Sequence, residues 1–482
     1  MYWLLLAVVL LGLVYWNGVK RYFLIANEPL NGPKPLPYIG NLLDVNKHGG
    51  MHKMIMHYFR TYGRVHKMFI GRSPIIVVND PEIAKQIMVK EFYKFPDRPT
   101  FFNFGPPFSD ALPFLAGERW KRVRSVLTPT FTSGKLKQLV PIFNTATDIL
   151  VSKMEGFAAT GESVDCIRMF SLFALEVIMS AAFGYETNVQ TAPDEEFVAK
   201  ARNVAAVPLW RRFFTMVPFS DFFGRFMSPL NNGYYFLKIA DGMVRNRIAE
   251  GARRGRQDFV QLMLDAQEQT IEGVAKLNDD ELAAQSVAFL IAGFETTGST
   301  LSNTAYFLAT HTDVQGKLIQ ELDEARKNRG DKTLYDLAQH TEYLDRVLSE
   351  VLRLCAPAFI LLRKCEEECT INGVHFPKGV DVNIPTYTLH RDPEAWEKPE
   401  EFDPEHFSPE AKEKRHPYSY MPFGMGPRQC IGMRFAMLEI KICLMAVLEK
   451  FAFERASDTR DWEGEAVALL RPKQILLKIR KG

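Results

Sequence analysis

Phe423-Gly424-Met425-Gly426-Pro427-Arg428-Gln429-Cys430-Ile431-Gly432 holds one cysteine in a loop of three glycines and a proline. An arginine stands two residues before the cysteine, and an apolar helical pattern starts directly after the loop. Glycine lets backbone approach a ligand closely. A helix N-terminus and a nearby arginine both favour thiolate over thiol. The segment reads as a site that presents one anionic sulfur to something large and flat. The bland alternative is a core cysteine beside a glycine-rich turn, and the density of special residues around Cys430 speaks against it.

Around this loop lies a chain of 482 residues, 47% of them hydrophobic, enough for a large core. No Ser/Gly-rich or Pro-rich linker divides its middle and no internal repeat is visible, so one large unit is expected after a short N-terminal segment. The net charge of +2 gives no bias toward an acidic partner. No long basic run with interleaved aromatics suggests nucleic acid. The six cysteines are scattered; only Cys365 and Cys369 are close, and no partner pair completes a zinc pattern. Their density is too low for a secreted disulfide scaffold, which favours a reducing compartment.

Met1 to Val19 carries no charged side chain, and Lys20-Arg21 follow directly. As a helix this run is roughly 28 Å long, just enough to span a bilayer. A cleaved signal peptide would want its positive charge before the apolar run and small residues at a cleavage site. Here the charge comes after it, and Tyr22-Phe23-Leu24-Ile25 offers no such site. Positive residues stay cytoplasmic, so the N-terminus should face the lumen. Asn31-Gly32-Pro33-Lys34-Pro35-Leu36-Pro37 then predicts a stiff extended segment. The expected organisation is an anchor over 1–21, a proline-rich hinge over 22–37 and a catalytic body over 38–482.

Two hairpins are legible. Arg64 to Ile70 and Pro74 to Val78 flank a turn at Gly71-Arg72-Ser73; Cys369-Thr370-Ile371 and Val374-His375-Phe376 flank Asn372-Gly373. Most of the rest has helical period. Asn278 and Glu281 make a capping box before an apolar pattern that runs to about Thr310. In its middle lies Ala292-Gly293-Phe294-Glu295-Thr296-Thr297-Gly298. An acid and two hydroxyls inside an apolar helix are costly unless they serve something. The bland reading is a packing glycine with threonines bonded back to the preceding turn. Glu350 and Arg353 sit three apart on another helix whose buried face is Leu344, Val347, Leu348, Val351 and Leu352.

Phe423, Gly426, Arg428, Cys430 and Gly432 fill every fixed position of the haem-thiolate pattern of the cytochrome P-450 superfamily, which the whole chain resembles. Trp120 to Leu136, Asp258 to Gln267 and Phe289 to Thr297 look most like the clan of vertebrate family three drug and steroid hydroxylases, which includes thromboxane synthase. The resemblance implies a mainly α fold with a minor β-sheet region and a haem b between the long helix and the cysteine loop. It makes Cys430 the iron ligand, with Phe423, Arg428 and Gly432 in its loop. It gives Trp120, Arg124, Arg363 and Arg98 to the haem propionates. It makes Thr296 the proton relay to bound oxygen, with Glu295 as the neighbouring acid. Glu350 and Arg353 match its Glu-x-x-Arg signature as scaffold. The arginine that normally completes that network is replaced here by His406 in Pro404-Glu405-His406-Phe407, so the full triad is not carried over.

The implied activity is monooxygenation: one atom of O2 enters an apolar small molecule such as a steroid, fatty acid or xenobiotic. No Gly-x-Gly-x-x-Gly fingerprint is present, so electrons should come from NADPH through a separate cytochrome P-450 reductase. Lys121, Arg122, Lys135, Lys137, Lys412, Lys414 and Arg415 are candidates for its docking face. Membrane lipid is the other expected partner, with the body on the cytoplasmic side of the endoplasmic reticulum. Two aromatic clusters, Phe101 to Phe114 and Trp210 to Phe226, read either as core or as a lid lining a substrate channel.

Overall fold

The Asn278 side chain accepts a hydrogen bond from the Glu281 amide at 2.8 Å, and the Glu281 carboxylate accepts one from the Asn278 amide at 3.2 Å. This reciprocal cap starts the longest helix of the chain, Asp279–Thr310. The computed structural model describes residues 1–99, 108–203, 231–249, 258–268, 276–328, 330, 332–466 and 469–482. Helix takes 60% and strand 11%, which settles the class as mainly α. The aromatic residues at 101–104 and 210–226 lie outside the described residues, as does the side chain at 108.

The N-terminal apolar helix and the helices around the site are α1 (Tyr2–Val19), α2 (Gly117–Leu127), α3 (Ser133–Thr160), α4 (Cys166–Phe183), α5 (Asp279–Thr310), α6 (Glu342–Cys355) and α7 (Met433–Lys450). Helix α4 is apolar nearly all round and buried, because α5 lies along one side of it. Two glycines of α5 permit that approach. A Cβ on Gly298 would stand 2.9 Å from the Ser171 Cα, and one on Gly293 would stand 2.8 Å from the Ile178 Cδ1. Ser302 fastens the pair by donating to the Cys166 carbonyl at 3.1 Å. Helix α7 packs on α3 through the rings of Phe435 and Phe143, 5.1 Å apart. One continuous apolar core runs through α2 to α7.

The strands are β1 (Val65–Ile70), β2 (Ser73–Val78), β3 (Val164–Asp165), β4 (Leu361–Lys364), β5 (Cys369–Ile371), β6 (Val374–Phe376), β7 (Asp381–Ile384), β8 (Phe451–Arg455), β9 (Gly464–Ala466), β10 (Leu470–Pro472) and β11 (Leu476–Lys481). The main sheet has order β1-β2-β7-β4, and β2 runs parallel to β7. Both expected hairpins form. In the first, Ser73 pairs with Ile70, so the turn is Gly71-Arg72 alone and one residue shorter than the sequence suggested. In the second, Asn372 and Gly373 take φ of 48° and 79°, the left-handed pair a two-residue hairpin turn needs.

Helix α1 stands clear of the body over most of its length, with residues 2–16 exposed. A 3-10 turn, Lys20–Ile25, comes next and buries Tyr22 and Ile25 in a second core beneath the main sheet. The proline-rich segment lies along β1, where the Lys67 amide donates to the Asn31 carbonyl at 2.9 Å.

Candidate functional site

The cysteine loop is shaped by two left-handed glycines, Gly424 at φ 71° and Gly426 at φ 73°. Gly426 also runs close under the Met88 carbonyl; a Cβ there would sit 2.1 Å from its oxygen. The loop closes on itself when the Cys430 amide donates to the Phe423 carbonyl at 2.9 Å. Gly432 is the residue before α7, so the first amides of that helix point back at the sulfur. Cys430 is the exposed cysteine among six; four are buried and Cys369 is intermediate. Its surroundings are dense enough that burial pushes the thiol up. Amide hydrogen bonds from Gly432 and Met433 and the charges of Arg124 and Arg98 pull it only part of the way back, so it stays raised.

Two arginines, Arg98 and Arg124, act on the sulfur, and Arg363 and Arg428 stand near Arg98. Arg363 on β4 is buried, and burial with the repulsion of Arg98 and Arg428 pushes it down to about 9. Its Nε has no hydrogen-bond partner. Arg98 and Arg124 are likewise lowered by burial, with Cys430 pulling each back up. Among the described residues no carboxylate stands within ion-pair distance of Arg98, Arg124 or Arg363. Arg428 differs from the other three. Its guanidinium donates to the Pro96 carbonyl at 2.8 Å, the Leu115 carbonyl at 2.8 Å and Asp97 Oδ1 at 2.7 Å, and lies 4.0 Å from the Trp120 ring. It ties the cysteine loop to the approach of α2 and holds Trp120 in place.

This donor set fits a haem. A sulfur faced by two amides and two guanidinium groups suits one iron ligand, and guanidinium groups without carboxylate partners among the described residues suit a pair of propionates. Cys430 could hold the iron, and Arg98, Arg124, Arg363 and Trp120 could hold the periphery.

Helix α5 is buried on both sides of its middle, yet Ile291, Ala292, Gly293, Glu295 and Thr296 keep accessible surface. A core helix with an accessible waist faces a space rather than a neighbour. Thr296 Oγ1 donates to the Ala292 carbonyl at 2.5 Å. Thr300 and Thr304 bond back in the same way, each at 2.8 Å. The glycines pack and Thr296 bonds back, as the bland reading had it, but the Thr297 hydroxyl does not bond back, and the Thr296 hydroxyl still borders the accessible waist. Glu295 points elsewhere; its carboxylate lies 3.5 Å from Arg471 on β10, and burial raises it. The two residues are neighbours in sequence without sharing a hydrogen bond.

One residue later α5 meets the cysteine helix. The Thr297 hydroxyl lies beside the Glu439 carboxyl of α7 without a well-aligned hydrogen bond. Burial holds that carboxyl well above the usual range. Sequence reasoning missed both Arg471 and Glu439. Glu439 was detectable as an acid between Leu438 and Ile440 in an apolar helix; Arg471 had no local signal.

The Glu350–Arg353 pair is fully buried. Glu350 takes two hydrogen bonds from Arg353, at 2.7 and 2.8 Å, and one from the Asp403 amide at 2.9 Å. His406 completes the network, with Nδ1 3.0 Å from Glu350 and Nε2 2.7 Å from the Glu397 carbonyl. Both partners only accept, so the ring is held as a doubly protonated cation. The hydrogen bond to Glu350 accordingly raises its pKa.

The cytochrome P-450 family model matches residues 30–479. Cytochrome P-450 3A41 of Mus musculus is 39% identical over 99% of this chain and 96% of its own length. Cytochrome P-450 3A2 of Rattus norvegicus shows the same figures, and cytochrome P-450 3A29 of Sus scrofa is 38% identical over 95% and 92%. The family match takes in all but the last three residues of the body. The chain belongs to the cytochrome P-450 family, as a haem-thiolate monooxygenase of small molecules.

Proposed function

We propose that the protein binds haem b through Cys430 and inserts one atom of O2 into an apolar small molecule such as a steroid, fatty acid or xenobiotic. The electrons come from NADPH through a separate flavoprotein reductase. The observation that carries this reading is Cys430, an exposed residue, beside Arg98 and Arg124, which among the described residues have no carboxylate partner. Haem, when bound, supplies the redox-active iron that activates oxygen. Cys430 holds that iron as a thiolate, stabilised by the Gly432 and Met433 amides. Arg98, Arg124 and Arg363 neutralise the propionates, and Trp120 seats one of them. Arg428, Phe423 and Gly432 frame the loop. The Thr296 hydroxyl moves a proton into the accessible waist of α5. Glu295, its carboxyl raised by burial, is the neighbouring acid, and since it shares no hydrogen bond with Thr296 the proton passes between them through water.

Electrons enter behind the loop. A cleft of 330 Å³ there is lined by Leu352, Phe423, Met425, Met433 and Met437, with the exposed Arg434 among its lining residues. Most of the basic residues named as a docking face have internal partners. Lys121 pairs with Glu118 at 2.6 Å and Lys137 with Asp336 at 3.6 Å, and Arg415 stacks 3.7 Å from the Trp396 ring. Helix α1 is apolar and exposed, which supports a single-pass anchor in the endoplasmic reticulum with the body cytoplasmic.

The test is the carbon monoxide difference spectrum of the reduced protein, followed by turnover with NADPH and reductase. Cys430→Ala should lose haem or the thiolate-type band, and Cys443→Ala should keep it. A Cys430→Ala protein that keeps the band sinks the assignment. Turnover of wild type without any reductase sinks the electron source.

A further inference from the structure

The anchor helix does not leave the body on a free tether. Two pieces of the body grip its C-terminal end. The Tyr38 hydroxyl donates to the Val14 carbonyl. The Tyr38 ring lies against Gly18, where a Cβ would come within 2.6 Å of it. Arg72 at the tip of the β1–β2 hairpin donates to Asn17 Oδ1 at 2.7 Å. The Tyr22 hydroxyl bridges these loops, 2.9 Å from the Leu36 carbonyl and 2.8 Å from the Gly71 carbonyl. Beyond the bend, Lys67 Nζ crowns the carbonyls of Ile25, Ala26 and Glu28 at 3.3 to 3.5 Å.

Tyr38 has φ 64°, a left-handed conformation that residues with side chains avoid. Its turn is held in place by the paired Leu36 and Gly40 hydrogen bonds of 3.0 and 2.7 Å. A strained residue fixed on both sides and aimed at a glycine of the anchor is a built contact.

Length then sets depth. The 18 residues of α1 rise about 27 Å, against a hydrocarbon core of about 30 Å. The last part, from Val14 to Gly18, runs alongside the body for about 7 Å. The helix has no length to spare, so whatever flanks Val14 to Gly18 must share the membrane's interfacial layer. Those flanking residues are apolar. Phe23 is 60% exposed, Leu36 49% and Leu24 37%, and the Trp16 ring stands 5.6 Å from that of Phe23. Lys20, Arg21 and Lys34 are exposed nearby, suited to lipid phosphates.

We propose that the anchor sits in a rigid socket and that the socket's rim, made of Phe23, Leu24, Leu36 and the Tyr38 turn, is immersed in the lipid headgroup layer. The body therefore meets the bilayer at one set tilt. The inference rests on reading α1 as a membrane span.

The full-length, haem-loaded protein in phosphatidylcholine vesicles tests it, with a solvent-sensitive fluorescent amino acid placed singly at Leu6, Leu36 or Lys327. Emission at positions 6 and 36 should shift to the blue and be quenched by nitroxide-labelled lipid, with neither effect at 327. A quenched position 6 beside an unquenched position 36 overturns the socket while sparing the span. An unquenched position 6 brings down both. Combining Tyr38→Ala with Arg72→Ala should reduce quenching at 36 and leave it intact at 6. Unchanged quenching at 36 in that double variant overturns the lock.

Discussion

At Cys430 burial resists ionisation, while two helix amides and two guanidinium groups favour it. Loss of any one cation should weaken haem retention by degrees rather than abolish it. Arg124→Ala and Arg363→Ala are each expected to leave the thiolate band in place but speed haem release, measured by transfer to an apo-globin acceptor. Thr296→Ala should keep the band, lower product formed per NADPH by up to about 10²-fold and raise peroxide release. Glu295→Gln should act in the same direction. If both variants stay fully coupled, protons arrive by another route. His406 carries a pH dependence with a definite sign. Its folded pKa is raised, so its contribution is complete below the unfolded value near 6.5 and is lost as pH rises through the folded one. The charges around it are Glu350, Arg353 and Arg415. Thermal stability of the holoprotein should therefore decline as pH rises through that raised folded value, above the ordinary histidine range. His406→Arg, which cannot deprotonate there, should remove that decline.

At the scale of elements, close approach is specified by glycines whose neighbours differ in how far they can yield. Gly298 abuts backbone of α4, whereas Gly293 abuts the end of the Ile178 side chain, which can rotate away. Gly298→Val should cost about 1–3 kcal/mol and Gly293→Ala distinctly less, both read from thermal melts followed at the haem band. Gly426→Ala faces a carbonyl oxygen and a left-handed φ together. It should misplace the cysteine loop and lower haem content even where the apoprotein folds. Elements set by local rules were legible in advance. The Asn278 box, the Asn372-Gly373 turn and the apolar face of α6 each depend on residues within a few positions of one another. The first hairpin's turn was one residue too long in the sequence reading, because Ser73 has no feature that separates a turn residue from a strand's first residue.

Across the whole molecule, legibility fails with sequence distance. The partner of Glu295 is Arg471, and the carbonyls that saturate Arg428 come from Pro96 and Leu115. No periodicity or spacing ties such residues together, so the sequence could mark Arg428 as important without showing what it holds. His406 was recognised as a departure from the usual arginine, but its place in the network needed the fold to bring Glu350 to its ring. That network is a buried charge system, so Arg353→Ala should destabilise by about 3–5 kcal/mol through the carboxylate it strands, seen as early loss of the haem band on heating. Helix α4 carries a different consequence, for biosynthesis. It is long and apolar enough to cross a bilayer, although 83% of it is buried in the finished protein. On the proposed reading of α1 as an anchor, the chain is made at a membrane, and the translocation machinery meets this segment before α5 exists to cover it. Glu176, in its middle, is the residue that tells the two fates apart. In the folded protein its carboxylate accepts a hydrogen bond from the Gln190 amide at 3.0 Å; in lipid a central carboxylate costs about 2.5–3.5 kcal/mol. Glu176→Leu should turn a core helix into an erroneous stop-transfer signal, detectable as glycosylation of a tag placed after Phe183 during synthesis into microsomes.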